Sequence, residues 1–130
     1  MAQIPHCSPP SWPSPIASTR FASLIHAVPV GCRIAILGLP DDLGVKLNNG
    51  RPGAAEGPAA FRAALAKYGV AEPAGFDWPR IFDAGDVQPA SGGDADALAQ
   101  THERITQAAE TLAKEGMTVF GIGGGHDLTF

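Results

Sequence analysis

The sequence has few cysteines and no long apolar run. Its two cysteines, Cys7 and Cys32, are too few for a disulfide framework and lack the spacing of metal ligands. The longest strongly apolar run, residues 34–39, is far shorter than the roughly 20 residues that cross a bilayer. The N-terminus also lacks the positive charge and the continuous apolar stretch of a secretory signal. We therefore expect a cytoplasmic protein with reduced thiols and no membrane-spanning segment.

The chain also lacks an excess of positive charge. Nine Lys and Arg against thirteen Asp and Glu give a formal net charge of −4, and no dense basic patch occurs. This balance argues against a partner that is a nucleic acid or an anionic membrane. Hydrophobic residues make up 45% of the 130 residues, which is enough to bury a core. The length fits one domain or a piece of one.

Acidic residues are missing from the first part of the chain, and prolines are concentrated there. Half of the 12 prolines precede residue 30, and the first acidic residue is Asp41. Residues 1–30 are therefore predicted to form a flexible Pro/Ser-rich tail, with a possible short helix over residues 20–28. A polyproline ligand for a partner is the alternative interpretation of the Pro/Ser stretch. Residues 31–130 are predicted to form the folded part.

Strand-like and helix-like segments alternate in that folded part. The predicted strands cover residues 33–38, 80–86 and 117–122, and the predicted helices cover residues 58–68 and 94–115. This alternation predicts an α/β fold with a parallel sheet. The last strand is apolar throughout, which is typical of a strand covered on both faces. Functional loops are expected after the carboxyl ends of the strands, at residues 39–57, 85–93 and from 123 onward.

No helix follows the third predicted strand. A three-stranded parallel sheet with one bare flank would expose apolar surface. We therefore expect this chain to be the N-terminal part of a longer protein. The alternative is a small domain that completes itself by dimerising across the bare flank.

The most distinctive local pattern is Gly121-Ile-Gly-Gly-Gly-His-Asp. Its glycines allow a tight turn, but His126 stands where a dinucleotide fingerprint needs glycine, and no P-loop motif occurs. A histidine at the mouth of a parallel sheet is suited to metal ligation or proton transfer. Asp127 is either its carboxylate partner or a helix N-cap. These two residues do not complete a metal site, which normally takes three or more protein ligands.

Other polar residues have simpler interpretations. His102 lies in the middle of a predicted helix, at the edge of its apolar stripe, and is predicted to be structural. Asp83 and Asp86 bracket a strand end, where a turn-forming and loop-bonding role is favoured.

Three segments are similar to motifs of one known enzyme family. They are Asn49-Gly-Arg-Pro-Gly-Ala-Ala-Glu-Gly-Pro-Ala-Ala-Phe-Arg, Asp83-Ala-Gly-Asp-Val and Gly123-Gly-Gly-His-Asp. In this order and spacing they resemble the ureohydrolases, the family of the arginases, agmatinases and formimidoylglutamases. The third segment resembles the first metal motif of that family. Arginases and agmatinases usually have Gly-Gly-Asp-His-Ser there, so Gly-Gly-Gly-His followed by an acid is similar to formimidoylglutamases.

The resemblance implies a three-layer α/β fold of the arginase type, with a parallel sheet of about eight strands of which this chain supplies about the first three. It implies a manganese-dependent hydrolase with a pair of metal ions that activate water to attack an amidine carbon. His126 would ligate one of the ions. The family's other ligands lie in Asp-x-His-x-Asp and Asp-x-Asp motifs, which do not occur here, so this chain alone is expected to be inactive.

The resemblance also suggests a substrate. For N-formimidoyl-L-glutamate the products would be L-glutamate and formamide, a step of histidine breakdown. Asn49 and Arg51 would lie at the mouth of the active site and meet the substrate carboxylates, since arginine forms forked bonds to such groups. The alternative is that Arg51 and the glycines around it only shape the loop. A small-molecule substrate and a homo-oligomer are the expected partners.

Three other functions stay open at this point. One is a guanidino hydrolase of the agmatinase or arginase type. Another is a non-catalytic remnant or interaction domain that uses the bare sheet flank to bind a partner. The third, a nucleotide-binding βαβ module, is weakened by the failed glycine fingerprint.

Overall fold

The computed structural model describes residues 4–70 and 77–129. Five strands form one sheet in this part of the chain. They are β1 (Cys7–Ser8), β2 (Ile25–His26), β3 (Ile34–Gly38), β4 (Ile81–Val87) and β5 (Thr118–Ile122). The α-helices are α1 (Leu43–Leu47), α2 (Gly57–Leu65) and α3 (Ala95–Lys114). Short 3-10 turns cover Phe21–Leu24, Ala54–Glu56 and His126–Thr129.

The three strands predicted from the sequence are neighbours in the sheet and run parallel to one another. Along the sheet the order is β1-β4-β3-β5, and β2 also pairs with β4. Ile34 of β3 is opposite Ile81 of β4 and Thr118 of β5, and both pairings are parallel. The predicted α/β fold with a parallel sheet is therefore confirmed. Because the three strands run the same way, the loops that follow them lie at the same edge of the sheet.

The two longer helices cover opposite faces of the sheet. Side chains alternate between the faces along a strand. Leu37 of β3 joins Ile105 and Leu112 of α3 in the buried core. At the next position, a Cβ added to Gly38 would lie 3.1 Å from Cβ of Pro58, at the start of α2. The arrangement is thus α2, sheet and α3, in three layers.

Local sequence explains where α3 begins and which face it buries. The Asp94 carboxylate accepts a 2.9 Å hydrogen bond from the backbone N–H of Ala97, as an N-cap residue should. The inward face of the helix consists of small and aliphatic side chains. Its buried residues are Ala97, Thr101, Ile105, Ala108 and Leu112. The sequence has an apolar stripe of residues seven apart, Leu98, Ile105 and Leu112, of which the last two are buried and Leu98 is half-buried.

Two sequence expectations about this part of the fold are wrong. Strand β5 is the edge of the described sheet and none of its residues is buried, although its apolar run predicted cover on both faces. Phe120 is 51% exposed. Helix α2 ends at Leu65, before the predicted end at residue 68, and Tyr68 is exposed. The bare flank expected from the sequence explains the first outcome, because no α-helix follows β5 among the described residues to cover it.

The segment predicted as a tail contacts the sheet where the structure describes it. Cys7 pairs with Val87 at the end of β4 in antiparallel register. The predicted short helix is the 3-10 turn Phe21–Leu24, and β2 follows it alongside the start of β4. The predicted boundary between a tail over residues 1–30 and a folded part over residues 31–130 stays a prediction. Among the described residues, no helix has the length and apolar character needed to cross a membrane.

Candidate functional site

The loops after β3 and β5 are hydrogen-bonded to each other at the carboxyl edge of the sheet. The backbone N–H of Gly125 donates to the carbonyl of Asp41 over 3.0 Å, and that of Gly124 donates to the carbonyl of Ala54 over 3.0 Å. Gly124 has φ +80, a conformation that side chains rarely adopt, and an added Cβ would collide with the carbonyl oxygen of Leu39. Glycine is required at this position because the two loops approach so closely.

A cavity of about 240 Å³ lies between these two loops. Its lining combines the segment after β3 with the end of the glycine motif. The lining residues are Gly44, Val45, Asn48, Gly50, His126 and Asp127. Asn49 and Arg51 flank the lining residues in sequence and are exposed. The structure therefore brings the candidate metal ligand beside the loop that carries the two candidate substrate-binding residues. The loop after β4 does not line this cavity.

His126 begins the 3-10 turn after the glycines, and its side chain is exposed. Within the described part of the chain, no group of three His, Cys, Asp or Glu side chains is arranged to hold a metal ion. His126 supplies an exposed imidazole, a common metal-ligating group, on one wall of the cavity, and the Asp127 carboxylate beside it contacts His102. The residues present therefore fit one side of a metal site, with His126 as the candidate ligand.

Asp127 and His102 form a contact that sequence reasoning missed. The Nε2 atom of His102 lies 2.7 Å from Oδ2 of Asp127. The prediction that His102 is a structural residue within its helix overlooked this partner 25 positions later. The only signal of this contact in the sequence was the position of His102 at the edge of the apolar stripe of α3, between the buried and the exposed face of the helix. Asp127 is thus the carboxylate partner of a histidine, but of His102 and not of its neighbour His126.

Asp42 holds the loop that carries Asn49 and Arg51. One carboxylate oxygen accepts hydrogen bonds from the backbone N–H of Gly53 at 2.7 Å and of Ala55 at 3.4 Å. The other lies 3.1 Å from Nζ of Lys46. The hydrogen bond from Gly53, followed by that from Lys46, lowers the pKa of Asp42. A buried carboxylate thus fixes both ends of the loop.

The neighbouring Asp41 is in the opposite electrostatic situation. It is buried, and its Oδ2 atom has no hydrogen-bond partner among the described residues. Burial is the main cause that raises the pKa of Asp41, and the negative charges of Asp127 and Asp42 add to the effect. The two adjacent aspartates therefore differ because Asp42 has two backbone donors and Lys46, whereas at Asp41 burial outweighs a single backbone hydrogen bond from Leu43.

Asp83 and Asp86 lie in β4 and bind an arginine, which corrects the expectation of a turn-forming role. Arg62 of α2 contacts both carboxylates from across the layers, and it is 2% exposed. Asp83 also accepts from the backbone N–H of Gly85 and from Nε1 of Trp12. The predicted loop-bonding contact is thus present, but the ion pair dominates. Sequence reasoning missed Arg62, although a charged residue four positions after Pro58 on a packed helix face was a signal.

Comparison with known proteins shows the family. The family model described as "Arginase family" matches residues 32–130, so the chain belongs to the arginase family. The chain is 40% identical over 101 residues to a formimidoylglutamase of Aromatoleum aromaticum, a match that covers 75% of this chain and 28% of that protein. It is 38% identical over 96 residues to a formimidoylglutamase of Geobacillus thermodenitrificans, covering 74% and 28%. The chain thus spans 28% of the length of these curated relatives.

The solved structures agree with this assignment. A Trypanosoma cruzi formiminoglutamase crystallised with Mn²⁺ matches with a TM-score of 0.71 and 32% sequence identity. The match covers 85% of this chain and 37% of that chain. The arginase-type fold and the family resemblance are therefore confirmed.

Proposed function

We propose that this chain forms one side of the active site of a manganese-dependent amidinohydrolase. The reaction is the hydrolysis of a C–N bond in a linear amidine, with N-formimidoyl-L-glutamate as substrate and L-glutamate and formamide as products. The observation that carries the proposal is the cavity in which the glycine motif, with His126, meets the loop on which Asn49 and Arg51 lie. Relatives named formimidoylglutamase support the choice of substrate.

His126 is proposed as a ligand of one manganese ion. Manganese, when bound, lowers the pKa of water and stabilises the charge that develops at the amidine carbon. The remaining ligands would come from outside the described residues, since no three His, Cys, Asp or Glu side chains are grouped among these to hold a metal ion. The 130 residues alone are therefore proposed to be inactive.

Arg51 and Asn49 are proposed to bind the carboxylates of the substrate. Both are exposed beside the cavity, and Asp42 holds the backbone of their loop through Gly53. A guanidinium group offers paired donors that match a carboxylate. Asn49 has φ +56, so the loop turns sharply at this residue.

The test uses the full-length product of the coding sequence that contains this chain, loaded with Mn²⁺. N-formimidoyl-L-glutamate, agmatine and arginine are compared at equal concentration, and glutamate, putrescine and ornithine are measured. Release of glutamate supports the proposal. Preferential hydrolysis of agmatine or arginine would assign the guanidino-hydrolase alternative, and a Mn²⁺-loaded protein inactive on all three would reject the proposed function.

A second measurement tests the role of Arg51. We expect Arg51→Ala to raise KM for N-formimidoyl-L-glutamate about tenfold or more, because a charge-assisted hydrogen bond contributes roughly 1.5–3 kcal/mol. Arg33→Ala is the matched control, since Arg33 is an exposed arginine at the opposite, amino end of β3. Equal KM values in the two variants would show that Arg51 only shapes the loop.

A further inference from the structure

The turn that carries His126 is short and gains little order from its own hydrogen bonds. Only four residues, His126–Thr129, form the 3-10 turn. Such turns have poorer hydrogen-bond geometry than an α-helix. Leu128 anchors the far side of the turn, because it is 4% exposed and belongs to the core. The near side, where His126 lies, is held through its backbone, by the hydrogen bond from Gly125 to the carbonyl of Asp41 and by that from Oγ1 of Thr129 to the carbonyl of His126.

Asp127 provides an anchor to the longest helix. Its Oδ2 atom lies 2.7 Å from Nε2 of His102, which is in the middle of the 20-residue helix α3. The two side chains are about one third exposed, at 32% for His102 and 28% for Asp127. Contacts of α3 with β4 and β5 hold the helix against the sheet. His102 therefore ties the turn to a part of the molecule that is already fixed.

Two glycines confine the same carboxylate. A Cβ added to Gly44 would lie 2.6 Å from both Cγ and Oδ1 of Asp127, and one added to Gly125 would lie 2.5 Å from Oδ1. The carboxylate thus lies directly against the backbone of α1 and of the glycine motif. Together with His102, these contacts confine the Asp127 side chain from three directions.

From these contacts we infer that the Asp127–His102 pair positions His126, so that its imidazole is presented to the metal. The inference rests on the proposed function, in which His126 is a ligand. His126 lies between the confined Gly125 and Asp127, so fixing the Asp127 side chain also fixes the backbone from which the imidazole projects. The imidazole itself is exposed and makes no hydrogen bond within the described residues. In this proposal His126 binds the metal, and neither His102 nor Asp127 contacts it.

Supporting groups of this kind affect metal affinity more than they affect folding. Loss of a group that orients a ligand typically weakens metal binding by about 10 to 100-fold. A contact that served stability alone would lower the unfolding temperature and leave the affinity of the folded protein unchanged. The two possibilities are therefore separated by measuring both quantities on the same variants.

The experiment uses metal-free full-length protein. Mn²⁺ is titrated by calorimetry into wild type, His102→Ala, Asp127→Ala and the double variant, and the thermal unfolding midpoint of each metal-free protein is recorded. We expect the Mn²⁺ Kd to rise at least about tenfold in each single variant, with little further rise in the double variant. His102→Gln, which keeps a donor near Nε2, and Asp127→Asn, which keeps an acceptor, should restore part of the affinity and serve where the alanine variants do not fold.

The matched control is His6→Ala. The Nε2 atom of His6 also lies 2.7 Å from a side chain of α3, that of Gln107, but His6 does not line the cavity. Its Mn²⁺ Kd should equal the wild-type value. Unchanged Kd in folded His102 and Asp127 variants, or additive effects in the double variant, would overturn the positioning role while leaving the proposed function intact. A wild-type protein that does not bind Mn²⁺ would overturn both.

Discussion

The guanidinium group of Arg62 donates two parallel hydrogen bonds to the carboxylate of Asp83. Nε lies 2.8 Å from Oδ2 and Nη2 lies 2.9 Å from Oδ1, while Nη1 lies 2.7 Å from Oδ1 of Asp86. The Arg62 and Asp83 side chains are 3% and 1% exposed. Burial raises the cost of each charge, and the pairing compensates for it. The pair links α2 to the sheet beneath the loops of the candidate site.

We expect removal of one partner of this pair to be strongly destabilising. Arg62→Met should lower the free energy of unfolding by about 3–5 kcal/mol, because it leaves Asp83 charged and buried without its partner. The double variant Arg62→Met/Asp83→Leu should be less destabilised than the sum of the single variants. Urea unfolding measures both quantities. Arg33→Met, at an exposed arginine, is the control and should change stability by about 0.5 kcal/mol or less. Equal losses in Arg62→Met and Arg33→Met would contradict the buried ion pair.

The sequence predicted the three neighbouring parallel strands of the sheet because that information is local. Strand β3 is a short apolar run that ends at a glycine, and α3 has a capping aspartate and inward residues spaced by seven. Edge and interior strands differ only in their neighbours, so the exposure of β5 was not visible in its apolar residues.

In the candidate site, the sequence predicted only those features whose residues lie together in one segment of the chain. His126 follows three glycines, and the glycines predict the turn. The pairs Arg62–Asp83 and His102–Asp127 join residues 21 and 25 positions apart on different elements. Their formation depends on how helices pack on the sheet, and no spacing rule along the chain predicts it.

Asp42 gives a second prediction, in which pH dependence is diagnostic. Asp42→Ala should lower the free energy of unfolding by about 1–2 kcal/mol at pH 7, because the backbone N–H groups of Gly53 and Ala55 lose their acceptor. The folded state lowers the pKa of Asp42, so this contribution is present above the ordinary carboxylate pKa and is lost as pH falls through the lowered value. Urea unfolding at several pH values follows the difference.

The control for Asp42 is its cationic partner. Lys46 is 56% exposed on its side-chain surface, so Lys46→Ala should cost about 0–1 kcal/mol. A difference between wild type and Asp42→Ala that is the same at pH 3 and pH 7 would show that the charge of Asp42 does not support the loop.

Asp41 gives the opposite pH dependence. Its pKa is raised in the folded state by burial, so its ionisation destabilises the fold as pH rises above the ordinary carboxylate pKa. Asp41→Asn should therefore gain stability relative to wild type as the pH rises from acidic to neutral. The measurement is urea unfolding of both proteins at pH 3 and pH 7. Asp77→Asn, at an exposed aspartate, should show no such trend, and a constant difference for Asp41→Asn would argue against a buried, poorly paired carboxylate.

Gly44 tests how closely the Asp127 carboxylate is confined. A Cβ at this position would lie 2.6 Å from Cγ of Asp127, so Gly44→Ala must displace the carboxylate or the helix α1. Helix propensity alone favours alanine by about 1 kcal/mol, since Gly44 lies within α1. A net loss of about 1–3 kcal/mol in urea unfolding would therefore reflect the collision, which has the size of an overpacking penalty.

The same variant should also separate Asp127 from His102, because the displaced carboxylate can no longer lie 2.7 Å from Nε2. Selective ¹⁵N labelling of histidine reports this as a changed Nε2 resonance of His102. The control is Gly93→Ala, where an added Cβ has nothing within 4 Å and should leave both the stability and the resonance close to wild type. If Gly44→Ala stabilises the protein as much as propensity allows and leaves the His102 resonance in place, then the carboxylate is free to move. The confinement of the Asp127 side chain, on which the positioning of His126 depends, would then be wrong.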